Sequence, residues 1–264
     1  MLDYIEQGSI GYFVARELAA HSFVRHGFLT KRGGVEDGPF RGLNVSSRLG
    51  SRDCVRQNWE LLSSALRIPV SRFVLAKQVH GKEVLVVGSD PQAAAAGKNG
   101  EFDALVTDRP GLALAIRTAD CVPIFLLDPR RRVIGVAHAG WKGTVANIVG
   151  GVVDRMKTCF GCRPADLMAV VGPSIGACCY RVDRPVYEAV HSERDRSSWF
   201  RNSGAGSWLF DLPLANRMQL VNAGVPDKGI VTSEICTGCR ADLFFSHRRD
   251  GADTGRQLNF IMLE

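Results

Sequence analysis

The sequence predicts an α+β fold. Strand-like apolar runs come in clusters, with helical segments between clusters, an order that speaks against a regular βαβ repeat. Several runs, such as Val122-Pro123-Ile124-Phe125-Leu126-Leu127, are continuous rather than alternating, as in strands covered on both faces. No Pro/Gly/Ser-rich linker divides the chain, so residues 1–264 are predicted to form a single domain.

The first helix is predicted over 54–66, where Val55, Trp59, Leu62 and Leu66 recur at helical spacing and Asp53 is placed to cap. Strands follow at 72–76 and 83–87. The polar stretch 88–101, with its alanine run at 93–96, reads as a surface loop. Strands at Ala104–Thr107, 112–117, 122–127 and 133–137 come next, the last two joined by a hairpin turn at Asp128-Pro129-Arg130-Arg131. A helix over 144–158 follows Gly143, then a strand at Met168–Val171 and a helix at 185–191. The charged stretch 192–207 reads as a solvated loop. Leu212–Asn222 is a helix capped by Asp211 and stopped by Gly224, and strands at Ile230–Thr232 and 259–263 finish the chain.

Composition narrows the function classes. With 45% apolar residues the chain is neither disordered nor low-complexity. The net charge of +6 suits an anionic small substrate, and no concentrated basic and aromatic segment supports nucleic-acid binding. The N-terminus lacks a basic region followed by an apolar core. The longest strongly apolar run, 121–127, is far short of the ~20 residues of a membrane span. A cytoplasmic protein with reduced thiols and no membrane partner is expected. Monomer and homodimer fit equally.

Three segments place an imidazole or thiol beside a predicted strand in a turn of small residues: Gln78-Val79-His80-Gly81, Arg117-Thr118-Ala119-Asp120-Cys121 and Ala137-His138-Ala139-Gly140-Trp141-Lys142-Gly143. Two imidazoles and a thiolate suit zinc, with a fourth position left open as in catalytic sites. Their separations are not those of a zinc finger. From spacing alone, a buried Cys121 with two backbone-satisfied histidines explains the pattern as well.

These segments are similar to the purine nucleoside phosphorylase family also described as laccase-domain, multicopper polyphenol oxidase or peptidoglycan editing factor proteins. So are Asp103-Ala104-Leu105-Val106-Thr107, Gly172-Pro173-Ser174-Ile175-Gly176 with Cys178-Cys179-Tyr180, and Phe244-Phe245-Ser246-His247-Arg248-Arg249-Asp250-Gly251. The resemblance runs from His26-Gly27-Phe28 to the C-terminus. It implies one domain of mixed sheets sandwiched between helices, like a toxin-type deamidase with a Cys–His pair. It also implies one zinc on His80, Cys121 and His138. The implied activities are phosphorolysis of adenosine, inosine and methylthioadenosine, and deamination of adenosine. The chain departs from the family at Asn44-Val45-Ser46-Ser47-Arg48, where Arg48 stands at a usual histidine.

Phosphorolysis needs cations for phosphate and a proton source for the leaving base. Arg48, Lys142, Arg248 and Arg256 are the candidate cations, and Asn44 and Gln78 are candidates to hydrogen-bond ribose or base. Deamination needs an activated water, with Asp120 either moving the proton or orienting a ligand. A third scheme uses Cys121 as nucleophile and His138 as base. The catalytic candidates are thus Cys121, His138 and Asp120.

The laccase label conflicts with the histidine count. A multicopper cluster needs roughly eight or more imidazoles, and the chain has six. Copper replacing zinc at the same three ligands is the limit of that reading. The alternatives are a Cys–His hydrolase editing peptidoglycan precursors and a non-enzymatic cell-envelope partner. Two further patterns carry little weight. His191-Ser192-Glu193 with Cys236-Thr237-Gly238-Cys239 imitates a zinc deaminase signature. Cys159/Cys162 and Cys236/Cys239 are the ingredients of a four-cysteine zinc site.

Overall fold

The computed structural model describes residues 1–46, 48–75, 77–88 and 100–264. The alanine run at 93–96 lies outside them. The strands in chain order are β1 (Leu2–Gln7), β2 (Ile10–Ala15), β3 (Val24–Leu29), β4 (Phe73–Leu75), β5 (Val84–Val86), β6 (Ala104–Thr107) and β7 (Ala113–Thr118). They continue as β8 (Val122–Asp128), β9 (Val133–Ala139), β10 (Met168–Val171), β11 (Arg181–Val182), β12 (Phe200–Asn202), β13 (Trp208–Phe210), β14 (Ile230–Thr232) and β15 (Gln257–Leu263). One six-stranded sheet runs β1-β2-β3-β15-β7-β4, a second β14-β10-β8-β9-β6-β5, and a small third β11-β13-β12.

Side-chain alternation along the buried strands builds the layers. Phe28, Leu114, Ile116 and Ile261 of the first sheet meet Phe125, Leu127, Ile134 and Val136 of the second in one cluster. The other face of the second sheet presents Ile124, Leu126 and Ala169 to Val149, Val152 and Met156 of helix Ile148–Phe160. The other face of the first presents Ala113, Ala115 and Phe260 to Leu62 and Leu66 of helix Arg52–Leu66. The result is helix, sheet, sheet, helix. Each large apolar side chain so buried contributes about 1.5–3 kcal/mol. The predicted α+β class of mixed sheets between helices holds.

The predicted β8–β9 hairpin is present, from Val122↔Ala139 to Asp128↔Val133. Asp128 Oδ1 accepts the backbone N–H groups of Arg130 and Arg131 at 2.9 Å each and closes its turn. Several boundaries differ from expectation. Helix Arg52–Leu66 starts after Ser51, and Asp53 sits inside the first turn, where a carboxylate favours the helix dipole, rather than at the cap. The predicted 144–158 helix is two helices, Trp141–Val145 and Ile148–Phe160. Asn147 breaks it by taking a left-handed φ of 58° and accepting the Gly150 N–H on its side chain. The predicted 185–191 helix is Arg184–Glu188.

The stretch 192–207 is not a plain solvated loop. It holds helix Glu193–Trp199, capped by Ser192 Oγ, and β12. Glu193, Arg194 and Arg201 are exposed and Arg196 packs over Tyr187, while Trp199 and Phe200 are buried and Phe200 stacks on Phe210 at 4.3 Å. Charge density hid this anchoring.

His26 of β3 is buried, accepts the Ala15 N–H on Nε2 at 2.8 Å, and meets Phe125 edge-on. Burial holds its imidazole down at about 4 against an ordinary 6.5. The unfolded chain therefore takes this proton near pH 6.5 and the native chain only near pH 4. Stability contributed above pH 6.5 is lost as the pH falls through that window, on the order of 3 kcal/mol in full. His26→Gln keeps an acceptor and does not titrate. Urea unfolding at pH 7 and pH 4.5 is expected to show a smaller acid loss in the variant; equal losses would remove His26 as its source.

One connection matters most for function. β7 belongs to the first sheet and β8 to the second, and residues 119–121 alone join them.

Candidate functional site

Cys121 ends that crossover, His138 lies near the end of β9, and His80 lies in the loop between β4 and β5. Their ligand atoms all fall within 4.8 Å of one another. The backbone is bent to achieve this. His80 has φ 60° and Asp120 has φ 90°, both left-handed, a costly region for residues other than glycine unless neighbours fix it.

Neighbours do fix both. The Asp103 carboxylate, buried just before β6, accepts the consecutive N–H groups of Val79 (3.1 Å), His80 (3.0 Å) and Gly81 (2.7 Å). It also accepts His138 Nδ1–H at 2.7 Å. Burial works against the charge of Asp103, but the hydrogen bond and charge of His138 outweigh it and hold its carboxyl below the ordinary value. One carboxylate thus shapes the His80 loop and turns Nε2 of His138 toward Cys121. Asp120 is held as firmly. Oδ1 accepts Thr237 Oγ1–H at 2.6 Å, and Oδ2 accepts Ser246 Oγ–H at 3.0 Å and the Arg248 N–H at 2.7 Å. Its carbonyl accepts the Ile175 N–H at 2.9 Å.

Gly140 permits the close approach. A Cβ there would stand 2.9 Å from His80 Cδ2 and 3.1 Å from Cys121 Sγ. Burial alone would push the Cys121 thiol up, but the charge and hydrogen bond of His138 and the hydrogen bond of His80 bring it down to about 6. Burial disfavours a charged His138, yet the Cys121 thiolate and Asp103 raise it. Two imidazoles and an easily ionised thiol, with a carboxylate orienting one imidazole, fit a thiophilic divalent ion with one position open.

These residues line a cavity of about 660 Å³. Its wall includes Trp141, Ile175, Tyr180 and Leu212, and three guanidinium groups, Arg48, Arg117 and Arg256. Burial, followed by the charges of Arg48 and Arg256, lowers Arg117 from its ordinary value. Arg256 donates to the carbonyls of Thr254 and Gly255 at 2.6 and 2.9 Å. Among the described residues no carboxylate forms an ion pair with any of the three. Arg248 also lines the cavity, 4.9 Å over the Tyr180 ring and bonded to the Arg181 carbonyl.

Two expected substrate contacts lie elsewhere. Asn44 is fully buried and committed to structure. Nδ2 donates to Glu36 and to the Leu49 carbonyl, and Oδ1 accepts the N–H groups of Ser46 and Arg256. Lys142 is exposed on the start of helix Trp141–Val145, off the cavity wall and 5.6 Å from the Trp141 ring centroid. Gln78 lines the cavity, but its amide bonds both the N–H and the carbonyl of Arg117 at 2.8 Å each. Asp103 and Arg117 carry site geometry that the sequence reading gave no role. Among the described residues the two C-x-x-C pairs do not converge, nor does His191 join Cys236 and Cys239. Those two cysteines gather with Cys178 and Cys179.

Known proteins resemble this chain over most of its length. Residues 25–264 match the family model described as multi-copper polyphenol oxidoreductase laccase. The chain is 41% identical to the purine nucleoside phosphorylase YlmD of Geobacillus stearothermophilus, over 89% of this chain and 88% of the relative. It is 36% identical to the adenosine deaminase RL5 of an unknown prokaryotic organism, over 89% and 91%. The crystal structure of a hypothetical protein YfiH of Bacillus licheniformis superposes with a TM-score of 0.90 at 36% identity, covering 99% of both chains.

Proposed function

Because the chain belongs to the family of the multi-copper polyphenol oxidoreductase laccase model, we propose that it is a zinc-containing purine nucleoside enzyme. It cleaves adenosine, inosine and methylthioadenosine with phosphate and also deaminates adenosine. The names of its relatives support both activities. The observation that carries the reading is the cluster of Arg48, Arg117 and Arg256, without a carboxylate partner among the described residues, on the same cavity wall as His80, Cys121 and His138.

In phosphorolysis a phosphate oxygen bonds to the anomeric ribose carbon while the bond from that carbon to the purine nitrogen breaks. Three guanidinium groups suit a phosphate held for that attack. Trp141 and Tyr180 offer apolar faces for the base. The departing purine nitrogen needs a proton, which the Cys121–His138 pair would hold only while Cys121 Sγ and His138 Nε2 are free of metal. His80, Cys121 and His138 would hold the zinc, which when bound supplies an activated water for displacing the amine of adenosine. Copper would be accepted by the same ligands. Asp120, with both oxygens bonded, acts as a positioning residue for Cys121 and Arg248. We read residues 1–264 as one domain, since β15 pairs with both β3 and β7 in one sheet.

Purified protein incubated with adenosine or inosine, with and without phosphate, tests the reading. Free base and ribose 1-phosphate only when phosphate is present, and inosine from adenosine without it, are expected. No nucleoside turnover, with cleavage of a cell-wall precursor instead, would overturn it. Arg117→Gln removes one charge-assisted contact, so the KM for phosphate should rise about 10- to 100-fold. Phosphate-independent deamination should fall far less. Equal losses in the two reactions would remove Arg117 from phosphate binding.

A further inference from the structure

Outside the cavity's own residues, a second group of soft ligands stands together. The Sγ atoms of Cys178, Cys179, Cys236 and Cys239 all lie within 4.8 Å of one another. Cys239 Sγ is 3.6 Å from Cys178 Sγ and 3.4 Å from Cys179 Sγ. All four are free thiols. These separations are far beyond an S–S bond of about 2.05 Å. They match the edge of a tetrahedron of sulfurs about a single ion, about 3.8 Å for metal–sulfur bonds of about 2.3 Å. An iron–sulfur cluster fits less well, because its thiolates are divided among two or four irons and those on different irons stand further apart.

The backbone is arranged for it. Cys236-Thr237-Gly238-Cys239 turns so that its two sulfurs point to one place, and the Gly176 N–H donates to Cys236 Sγ at 3.2 Å. A Cβ on Gly238 would stand 3.0 Å from Cys179 Cβ and 3.1 Å from its Sγ, so a side chain here would press on Cys179. The two ligand-bearing segments are brought side by side by the bridge Ser174↔Cys236.

We propose that Cys178, Cys179, Cys236 and Cys239 form a second, structural metal site that takes one thiophilic divalent ion, zinc by its chemistry, as a tetrathiolate. Four protein ligands leave no open position, so the site binds no substrate. It fastens the turn after β10 to the segment carrying Thr237. Thr237 holds Asp120 beside Cys121, and the carbonyls of Thr237 and Gly238 accept Arg249. Tyr180, next in sequence to Cys179, lines the substrate cavity. The ion therefore sets the wall of the cavity from behind.

The test is metal content and thiol protection of the full chain, independent of activity. Wild-type protein prepared with zinc under reducing conditions is expected to hold two ions. Cys121→Ala should retain one of them, and Cys239→Ser should lose the other. Cobalt(II) added to metal-stripped Cys121→Ala should give the intense charge-transfer and ligand-field bands of a tetrahedral tetrathiolate. Native wild type treated with iodoacetamide and read by peptide mass should show exposed Cys159 alkylated and the four clustered cysteines protected until a chelator is added. That readout holds even if Cys239→Ser fails to fold. Loss of all metal in Cys121→Ala, together with alkylation of Cys178 and Cys239 as fast as Cys159, overturns the proposal. One ion in wild type that survives Cys121→Ala would instead support this site and count against the metal at His80, Cys121 and His138.

Discussion

Cys121→Ala is expected to lose metal from the His80–Cys121–His138 site and to reduce nucleoside turnover by about 10²–10⁴-fold or more, the range for removing a group that moves protons in the transition state. The cause is local. Cys121 is the one thiol among the three proposed ligands, and its charge sustains the charge of His138. Without it, two imidazoles remain, too few to hold a divalent ion in a catalytic geometry. Metal analysis and kcat/KM for adenosine and inosine check this. Full turnover by metal-free Cys121→Ala would overturn the site. If chelated wild type keeps its activity while Cys121→Ala loses it, the thiolate itself is the reactive group and the ion is dispensable.

Asp103→Asn is expected to act on both binding and folding. Asparagine retains one acceptor but turns an amide donor toward backbone N–H groups. Four donors now converge on Asp103, three of them consecutive in the His80 loop. Removing the charged partner from such a buried group costs about 3–5 kcal/mol. Losing the orienting carboxylate behind a metal-binding imidazole lowers metal affinity or activity by about 10–100-fold. Chemical unfolding and zinc titration measure the two effects separately. Wild-type affinity in a protein that has lost stability would confine Asp103 to the loop; unchanged stability and affinity would refute both roles.

The three proposed ligands were legible because each stands in a turn of small residues beside an apolar run. Asp103 was not, although it opens a clear strand motif. Its partners come from Val79–Gly81 and from His138, and nothing local marks a carboxylate that serves them. Arg117 sits at the end of a strand, where alternation does not say whether a side chain meets solvent or a cavity. Asn44 shows the reverse case. A polar residue in a family-like segment resembled a ligand contact, but its four hydrogen bonds go to Glu36, the Leu49 carbonyl and the N–H groups of Ser46 and Arg256. Cys178 and Cys179 are adjacent rather than spaced as C-x-x-C, so spacing favoured the wrong partner for Cys236 and Cys239. In the fold, continuous buried strands such as β8 were plain. β1 is half exposed and charged, so its alternation is weak.

The place of β15 has a consequence for synthesis. This seven-residue strand fills the slot between β3 and β7 in the first sheet. Until β15 has been made and inserted, β3 and β7 each keep a bare, pairable edge. The segment that clasps Asp120, around Ser246 and Arg248, emerges almost as late. The candidate site is thus completed only after the other strands of both large sheets have been made. The nascent protein passes through an interval in which open strand edges are exposed to self-association, and rapid insertion of the last strand ends that interval.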